Sequence, residues 1–114
     1  MVETAERRCL KFSRTGGDQS CLDLRDPKRI VHEYIRVLPV GLLFAPPSPR
    51  TLMVGLGGGR AVQLLRDHDP QMELDVIEIN PVVVQVAQKY FAIEPSERLR
   101  IHVADGRAFF DGRN

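Results

Sequence analysis

The chain has 114 residues, a formal net charge of +1 and 43% hydrophobic residues, values typical of one globular domain. Near-neutral charge argues against a field that recruits nucleic acid or an anionic membrane. No apolar run approaches the roughly 20 residues of a membrane-spanning helix, and no apolar signal segment follows the charged first residues. We therefore expect a cytoplasmic protein that binds neither nucleic acid nor membrane.

The first strand pattern covers residues 9–24. Two stretches that alternate apolar and polar residues flank a glycine-containing turn, which predicts a β-hairpin. The cysteines in this segment, Cys9 and Cys21, lack metal-ligand spacing. For a cytoplasmic protein we expect two free, partly buried thiols rather than a disulfide.

A helix is predicted after the hairpin. Asp26 and Pro27 are a typical N-cap and first helical residue. Apolar residues then recur at helical spacing as far as Leu42, although Pro39 and Gly41 interrupt the pattern.

The proline-rich run 45–50 predicts an extended link, since its prolines suit neither a helix nor a central strand. It would join an N-terminal hairpin and helix, residues 1–44, to a cofactor-binding unit, residues 51–114.

The second unit begins with a short apolar strand and a loop that contains Gly55, Gly57, Gly58 and Gly59. Glycine lets the backbone turn sharply and approach a ligand with no side chain between them. The following segment has helical periodicity, and a helix N-terminus presents unbonded N–H groups and the positive end of its dipole. This order predicts a nucleotide-type cofactor site.

Two further strands, residues 74–79 and 99–103, enclose a helix over 82–91. Strands that alternate with helices in this way pair in parallel through right-handed crossovers. We expect an α/β fold: the first half of a Rossmann-like sheet, preceded by an N-terminal β-hairpin and helix.

Acidic residues follow the second and third of these strands. Glu78 lies 19 residues after Gly59, where nucleoside-binding sheets place a carboxylate that accepts both ribose hydroxyls. Asp105, beside Gly106, is placed to accept a hydrogen bond from an adenine amino group, and capping the last helix is its alternative role. Together with the glycine loop, these acids predict a nucleoside cofactor.

The glycine spacing favours a cofactor without a pyrophosphate. Dinucleotide sites carry a third glycine three positions after the second, where this chain has Arg60. An S-adenosylmethionine-type cofactor, with no metal, fits this spacing. Common methyltransferases have an acid two residues before the loop, where this chain has Met53.

The ordered set of motifs resembles the spermidine/spermine synthase family of aminopropyltransferases. The motifs are Gln19-Ser20, His32-Glu33, the loop Gly55–Gly59, Glu78-Ile79-Asn80 and Asp105-Gly106. The resemblance extends from about residue 9 to the end of the chain.

The resemblance implies a role for each motif. Gln19 and the glycine loop would contact the sulfonium and side chain of decarboxylated S-adenosylmethionine, with Glu78 on its ribose and Asp105 on its adenine. His32 and Glu33 would face a polyamine acceptor, and methylthioadenosine would be the product. From the residues alone, a solvent-facing pair on a helix is the alternative for His32 and Glu33.

Gly58 departs from the family pattern, which has an aspartate there that pairs with the cofactor amine. Glycine removes an acid that would repel the carboxylate of intact S-adenosylmethionine, so we expect the site to tolerate or prefer the intact form. Spermidine-synthase-like methyltransferases also have a Gly-Leu-Gly-Gly-Gly loop. A methyltransferase is therefore one alternative function, and a non-catalytic nucleoside-binding module is another.

The family's catalytic aspartate has no counterpart in this sequence. Polyamine nitrogens are protonated near pH 7, so aminopropyl transfer needs a base that takes or holds the proton. We expect a cofactor-binding part of a longer enzyme, with no catalytic residue of its own. We also expect a homo-oligomer, because the first strand of the sheet would keep an unpaired edge.

Overall fold

A computed structural model describes residues 1–112. Its strands are β1 (Val2–Glu3), β2 (Arg7–Leu10), β3 (Ser20–Asp23), β4 (Arg50–Val54), β5 (Glu73–Glu78) and β6 (Leu99–Val103). Its helices are a 3₁₀ helix (Glu33–Phe44), α1 (Arg60–His68), α2 (Pro81–Tyr90) and α3 (Gly106–Phe110). No helix among the described residues is long and apolar enough to cross a membrane.

The second half of the chain forms a parallel sheet in the order β4-β5-β6, connected through α1 and α2. This confirms the predicted first half of a Rossmann-like sheet. The sequence placed β6 correctly, and it placed β5 and α2 to within one residue at each end. Asn80 explains the start of α2, because its side chain accepts a hydrogen bond from the Val82 N–H.

The hydrophobic core packs α1 and α2 against one face of the parallel sheet. The fully buried side chains include Val62 of α1, Ala87 of α2 and Phe91. Leu10 and Leu22 of the N-terminal strands belong to the same core cluster. Residues on both sides of the proline-rich run therefore bury their apolar surface together.

The N-terminal strands form an antiparallel sheet in the order β1-β2-β3, which confirms the predicted hairpin. Cys9 and Cys21 are direct partners in this sheet, with 4.2 Å between their Cα atoms, and their sulfurs form a disulfide. The prediction of free thiols was wrong, because it depended on compartment and spacing while the pairing register decides which thiols meet.

Replacing both cysteines with alanine is expected to lower the free energy of unfolding by about 3 kcal/mol, since the disulfide closes a short loop in the unfolded chain. Urea unfolding with and without dithiothreitol measures the effect. The variant should be insensitive to the reductant, and wild-type stability that does not change on reduction would contradict this expectation.

A helix follows the hairpin, as predicted, but it does not start at Asp26-Pro27 and it is not an α-helix. The structure has a 3₁₀ helix that begins at Glu33. The residues after Asp26 form a turn, in which the Arg29 N–H donates to the Asp26 carbonyl oxygen at 3.0 Å, and Ile30 forms an isolated β-bridge with Leu22. Pro39 lies inside the 3₁₀ helix, where it removes a backbone donor that an α-helix would use.

The opposite face of the parallel sheet carries a charged cluster around Asp75. Arg100 donates from Nε and Nη2 to its carboxylate at 2.8 and 2.9 Å, and His102 Nε2 lies 2.9 Å from Oδ1. The hydrogen bonds from Arg100 hold the pKa of Asp75 well below its usual range, although burial acts in the opposite direction. The same contacts raise the pKa of Arg100.

Asp75→Asn is expected to cost about 2 kcal/mol of stability at pH 7. A carboxylate whose pKa is depressed in the folded state stabilises the protein above its unfolded pKa of about 4, and that stability is lost as pH falls below it. When the pH is lowered from 7 to below about 4, urea unfolding should show that the wild type loses more free energy of unfolding than the variant. Parallel acid profiles would contradict the assignment.

Candidate functional site

The glycine loop lies at the carboxyl end of the parallel sheet, between β4 and α1. Gly55, Gly57 and Gly59 have φ values of 93°, 55° and 72°, a region that residues with side chains rarely adopt. The Gly55 N–H donates to the Ile77 carbonyl oxygen at 2.7 Å, which ties the loop to β5. The sharp turn predicted from the sequence therefore needs glycine at these three positions because of their backbone conformation.

Glu78 is buried at the end of β5, directly beside the loop. Its Oε2 accepts a hydrogen bond from the Leu56 N–H at 2.9 Å, and its Oε1 accepts one from the Asn80 N–H at 3.0 Å. A carboxylate has about four lone-pair positions, so each oxygen can accept a second donor. Glu78 both anchors the loop and keeps acceptor capacity for a ligand.

Asp105 follows β6 and is the N-cap of α3. Its Oδ1 accepts from the N–H groups of Arg107 and Ala108 at 2.8 and 3.0 Å, which is the capping role that the sequence left open. Within the described residues, Oδ2 accepts no hydrogen bond. A Cβ atom at Gly106 would lie 3.0 Å from a methyl group of Val54, so α3 begins close against β4.

A cavity of about 340 Å³ opens beside the loop, between β3, the 3₁₀ helix and α1. Its polar lining consists of Gln19, Ser20, Tyr34 and Arg60, together with the backbone of the loop. No aspartate or glutamate from the described residues lines it. The cavity is therefore neutral to positive, with two uncharged hydrogen-bonding side chains at its hairpin side.

Gly58 lies against the hairpin, a contact that could not be predicted from the sequence. A Cβ atom at this position would lie 2.6 Å from Ser20 Oγ and 3.1 Å from a ring carbon of Phe91. The backbone φ at Gly58 is not in the left-handed region, so lack of space is the reason for glycine here.

Arg60, the first residue of α1, is a buried cation. In the sequence it was noted only because it occupies the position of the third glycine in a dinucleotide site. Its Nη2 donates to the carbonyl oxygens of Pro27 and Arg29 at 2.6 and 3.3 Å, and its Nη1 donates to Gln63 Oε1. Within residues 1–112, its Nε has no partner. Burial lowers the pKa of Arg60, although the charge of Asp67 acts in the opposite direction, and within residues 1–112 no carboxylate is hydrogen-bonded to the guanidinium.

The acceptor residues implied by the family resemblance separate in the structure. The His32 ring stacks on Tyr34, which lines the loop cavity, with 5.9 Å between ring centroids. His32 Nε2 is buried and has no partner within the described chain. Glu33 instead lines a different cleft, together with Lys28 and Arg36. Gln19 and the loop are thus brought together, whereas Glu33 is not.

The possible metal ligands in the described region do not form an available site. Cys9, Asp18 and Cys21 place ligand atoms within 4.8 Å of one another, but the disulfide uses both sulfurs.

A glycine loop bonded to a buried strand-end glutamate, at the carboxyl edge of a parallel sheet, defines a Rossmann-like domain. No protein-family model matches the chain.

Curated proteins give a more specific likeness. The chain is 40% identical over 113 residues to a polyamine aminopropyltransferase of Vibrio vulnificus, covering 96% of this chain and 38% of that protein. The polyamine aminopropyltransferase of Chromobacterium violaceum is 32% identical over 108 residues, covering 92% and 41%. The eEF1A lysine and N-terminal methyltransferase of Mus musculus is 42% identical over 80 residues, covering 66% and 12%. The chain thus spans less than half the length of these relatives.

Solved structures agree on the fold. Human methyltransferase-like protein 13 in complex with SAH superposes with a TM-score of 0.55 at 33% identity, covering 69% of this chain and 35% of that chain. A probable spermidine synthase from Corynebacterium glutamicum gives a TM-score of 0.69 at 22% identity, covering 82% and 36%. These findings confirm the resemblance to polyamine aminopropyltransferases and the Rossmann-like fold.

Proposed function

We propose that this chain binds an adenosyl thioether or sulfonium at the loop cavity, as the cofactor-binding part of a spermidine synthase-like transferase. One observation carries the proposal: the buried Glu78 carboxylate is bonded to the glycine loop at the carboxyl edge of the sheet. The aminopropyltransferase names of the relatives with 40% and 32% identity support the reaction class.

The proposed contacts follow from the remaining acceptor and donor capacity. Each Glu78 oxygen accepts one ribose hydroxyl, and Asp105 Oδ2 accepts from the adenine amino group. Gln19 and the backbone of Gly55 and Gly57 lie at the sulfur end, where they line the cavity. Gly58, Gly59 and Gly106 act by leaving room for the side chains of Ser20, Ile93 and Val54, which pack against the backbone at these positions.

In the proposed aminopropyl transfer, a neutral polyamine nitrogen attacks the carbon beside the sulfonium of decarboxylated S-adenosylmethionine. The carbon–sulfur bond breaks, methylthioadenosine leaves, and the ammonium product gives its proton to a base. We assign that base to none of the residues described here. Of the two proposed acceptor residues, His32 is nearer to the cavity through Tyr34. A cytoplasmic location and homo-oligomeric assembly remain predictions.

A second candidate is methyl transfer from intact S-adenosylmethionine. The observation that favours it is the loop cavity itself, which is lined by Arg60 and by no carboxylate from the described residues. Such a lining suits a ligand that keeps its own carboxylate better than one that carries only an amine. The likeness to methyltransferase-like protein 13 in complex with SAH supports this candidate.

Calorimetric titration of the chain with methylthioadenosine, intact and decarboxylated S-adenosylmethionine tests both candidates. Methylthioadenosine is expected to bind in either case. Tighter binding of the decarboxylated form supports aminopropyl transfer, and equal or tighter binding of the intact form supports methyl transfer. Failure of all three ligands to bind would overturn the proposed function.

A further inference from the structure

A second cleft, of about 490 Å³, lies between the start of β2, residues 26–31, the 3₁₀ helix and α1. Its charged lining comprises the basic side chains of Arg7, Lys28, Arg29 and Arg36 and the acidic side chains of Asp26 and Glu33. Basic residues thus outnumber acidic ones two to one, in a chain whose basic and acidic residues are otherwise nearly balanced. The cleft concentrates positive charge.

The basic side chains of this cleft are largely unpaired. Within the described residues, the side chains of Arg7, Lys28 and Arg36 make no hydrogen bond and no ion pair. Arg29 lies 3.6 Å from the Asp23 carboxylate, a loose contact of a mostly exposed side chain. By contrast, Arg8 is closely paired with Glu3, at 2.6 Å. The cleft therefore presents donors that a ligand can use.

The segment that carries two of these cations, Lys28 and Arg29, is tied to the rest of the fold by hydrogen bonds. Arg60 donates to the carbonyl oxygens of Pro27 and Arg29 from the protein interior. The bridge between Ile30 and Leu22 fixes the end of the segment. Burying a guanidinium without a hydrogen-bonded carboxylate is costly. Here the buried Arg60 guanidinium holds the backbone on both sides of Lys28 in place, and its charge adds to the positive potential of the cleft.

We propose that this cleft binds a small anion that carries phosphate groups. Guanidinium groups bind phosphate through paired hydrogen bonds, and lysine adds a compact charge. A concave volume of this size suits a small molecule, whereas extended nucleic acid would meet Asp26 and Glu33 as well. The excess of basic side chains in the cleft disfavours binding of a polyamine, which is itself a cation. The site is separate from the glycine loop, so it does not depend on the proposed cofactor.

Inorganic tripolyphosphate at low ionic strength is the probe, measured by calorimetry and by amide chemical shifts of the full chain. Lys28→Ala and Arg36→Ala are each expected to weaken binding about tenfold, the effect of one charge-assisted hydrogen bond. Arg14→Ala removes an exposed turn cation outside the cleft and should leave the affinity unchanged. Shifts should concentrate in residues 26–36. Circular dichroism checks that each variant is folded.

Three results would overturn the proposal. They are no measurable binding of tripolyphosphate, an equal loss in Arg14→Ala, which indicates diffuse attraction, or tighter binding of citrate or of a single-stranded oligonucleotide than of tripolyphosphate. Binding of methylthioadenosine at the loop is measured separately, so failure here does not affect the proposed function.

Discussion

Replacing Gly58 with aspartate is expected to lower the free energy of unfolding by about 3 kcal/mol, through overpacking and burial of a charge. The new Cβ would lie 2.6 Å from Ser20 Oγ, and Ser20 precedes the disulfide-bonded Cys21 in β3, which limits how far it can move. Urea unfolding measures the loss. Gly17→Asp is the matched control, because no atom lies within 4 Å of a Cβ at Gly17.

Ser20→Gly should recover part of the stability of the Gly58→Asp variant, since it removes both Ser20 atoms that the new side chain meets. A Gly58→Asp protein as stable as the wild type would contradict the contact. The contact also bears on function. The aspartate of the aminopropyltransferase pattern would require the hairpin to move, so the loop and the hairpin of this chain are matched to each other.

Glu78→Ala is expected to cost about 3 kcal/mol, because it leaves the N–H groups of Leu56 and Asn80 without their acceptor. The same change should weaken methylthioadenosine binding at least tenfold, since the proposed ribose acceptor is lost. Unfolding and calorimetry measure the two effects. Glu97→Ala removes an exposed glutamate from the turn before β6 and is the matched control.

Glu78→Gln separates the two roles of Glu78. Its amide oxygen can still accept from one of the two N–H groups, so the variant should keep more stability than Glu78→Ala. It can accept from fewer ribose hydroxyls, so binding should still weaken. Methylthioadenosine affinity equal to that of the wild type in both variants would remove Glu78 from the proposed site.

The parallel sheet was predictable because its signals are local. The alternation of Leu99–Val103 and the Asn80-Pro81 helix start depend on neighbouring residues, and the position of Glu78 follows from the end of its strand. The glycine loop was predictable for the same reason, since the left-handed φ values of Gly55, Gly57 and Gly59 are a property of the turn itself.

The features that the sequence missed depend on contacts between distant segments. The Cys9–Cys21 disulfide follows from strand register. The helix start moved to Glu33 because Ile30 pairs with Leu22 and Arg60 holds the preceding carbonyls. The available sequence signal for the contact between Arg60 and these carbonyl groups was an arginine directly after a glycine loop, with no acid at helical spacing before it.

The central claim is that the loop cavity holds the sulfur end of an adenosyl ligand whose ribose lies on Glu78. A crystal structure of the chain with methylthioadenosine tests it most directly, because this ligand is common to both proposed reactions. We predict ribose hydroxyls within hydrogen-bond distance of both Glu78 oxygens and the thioether beside Gly55, Gly57 and Gln19. A ligand bound elsewhere, or a ribose without contact to Glu78, would contradict the account.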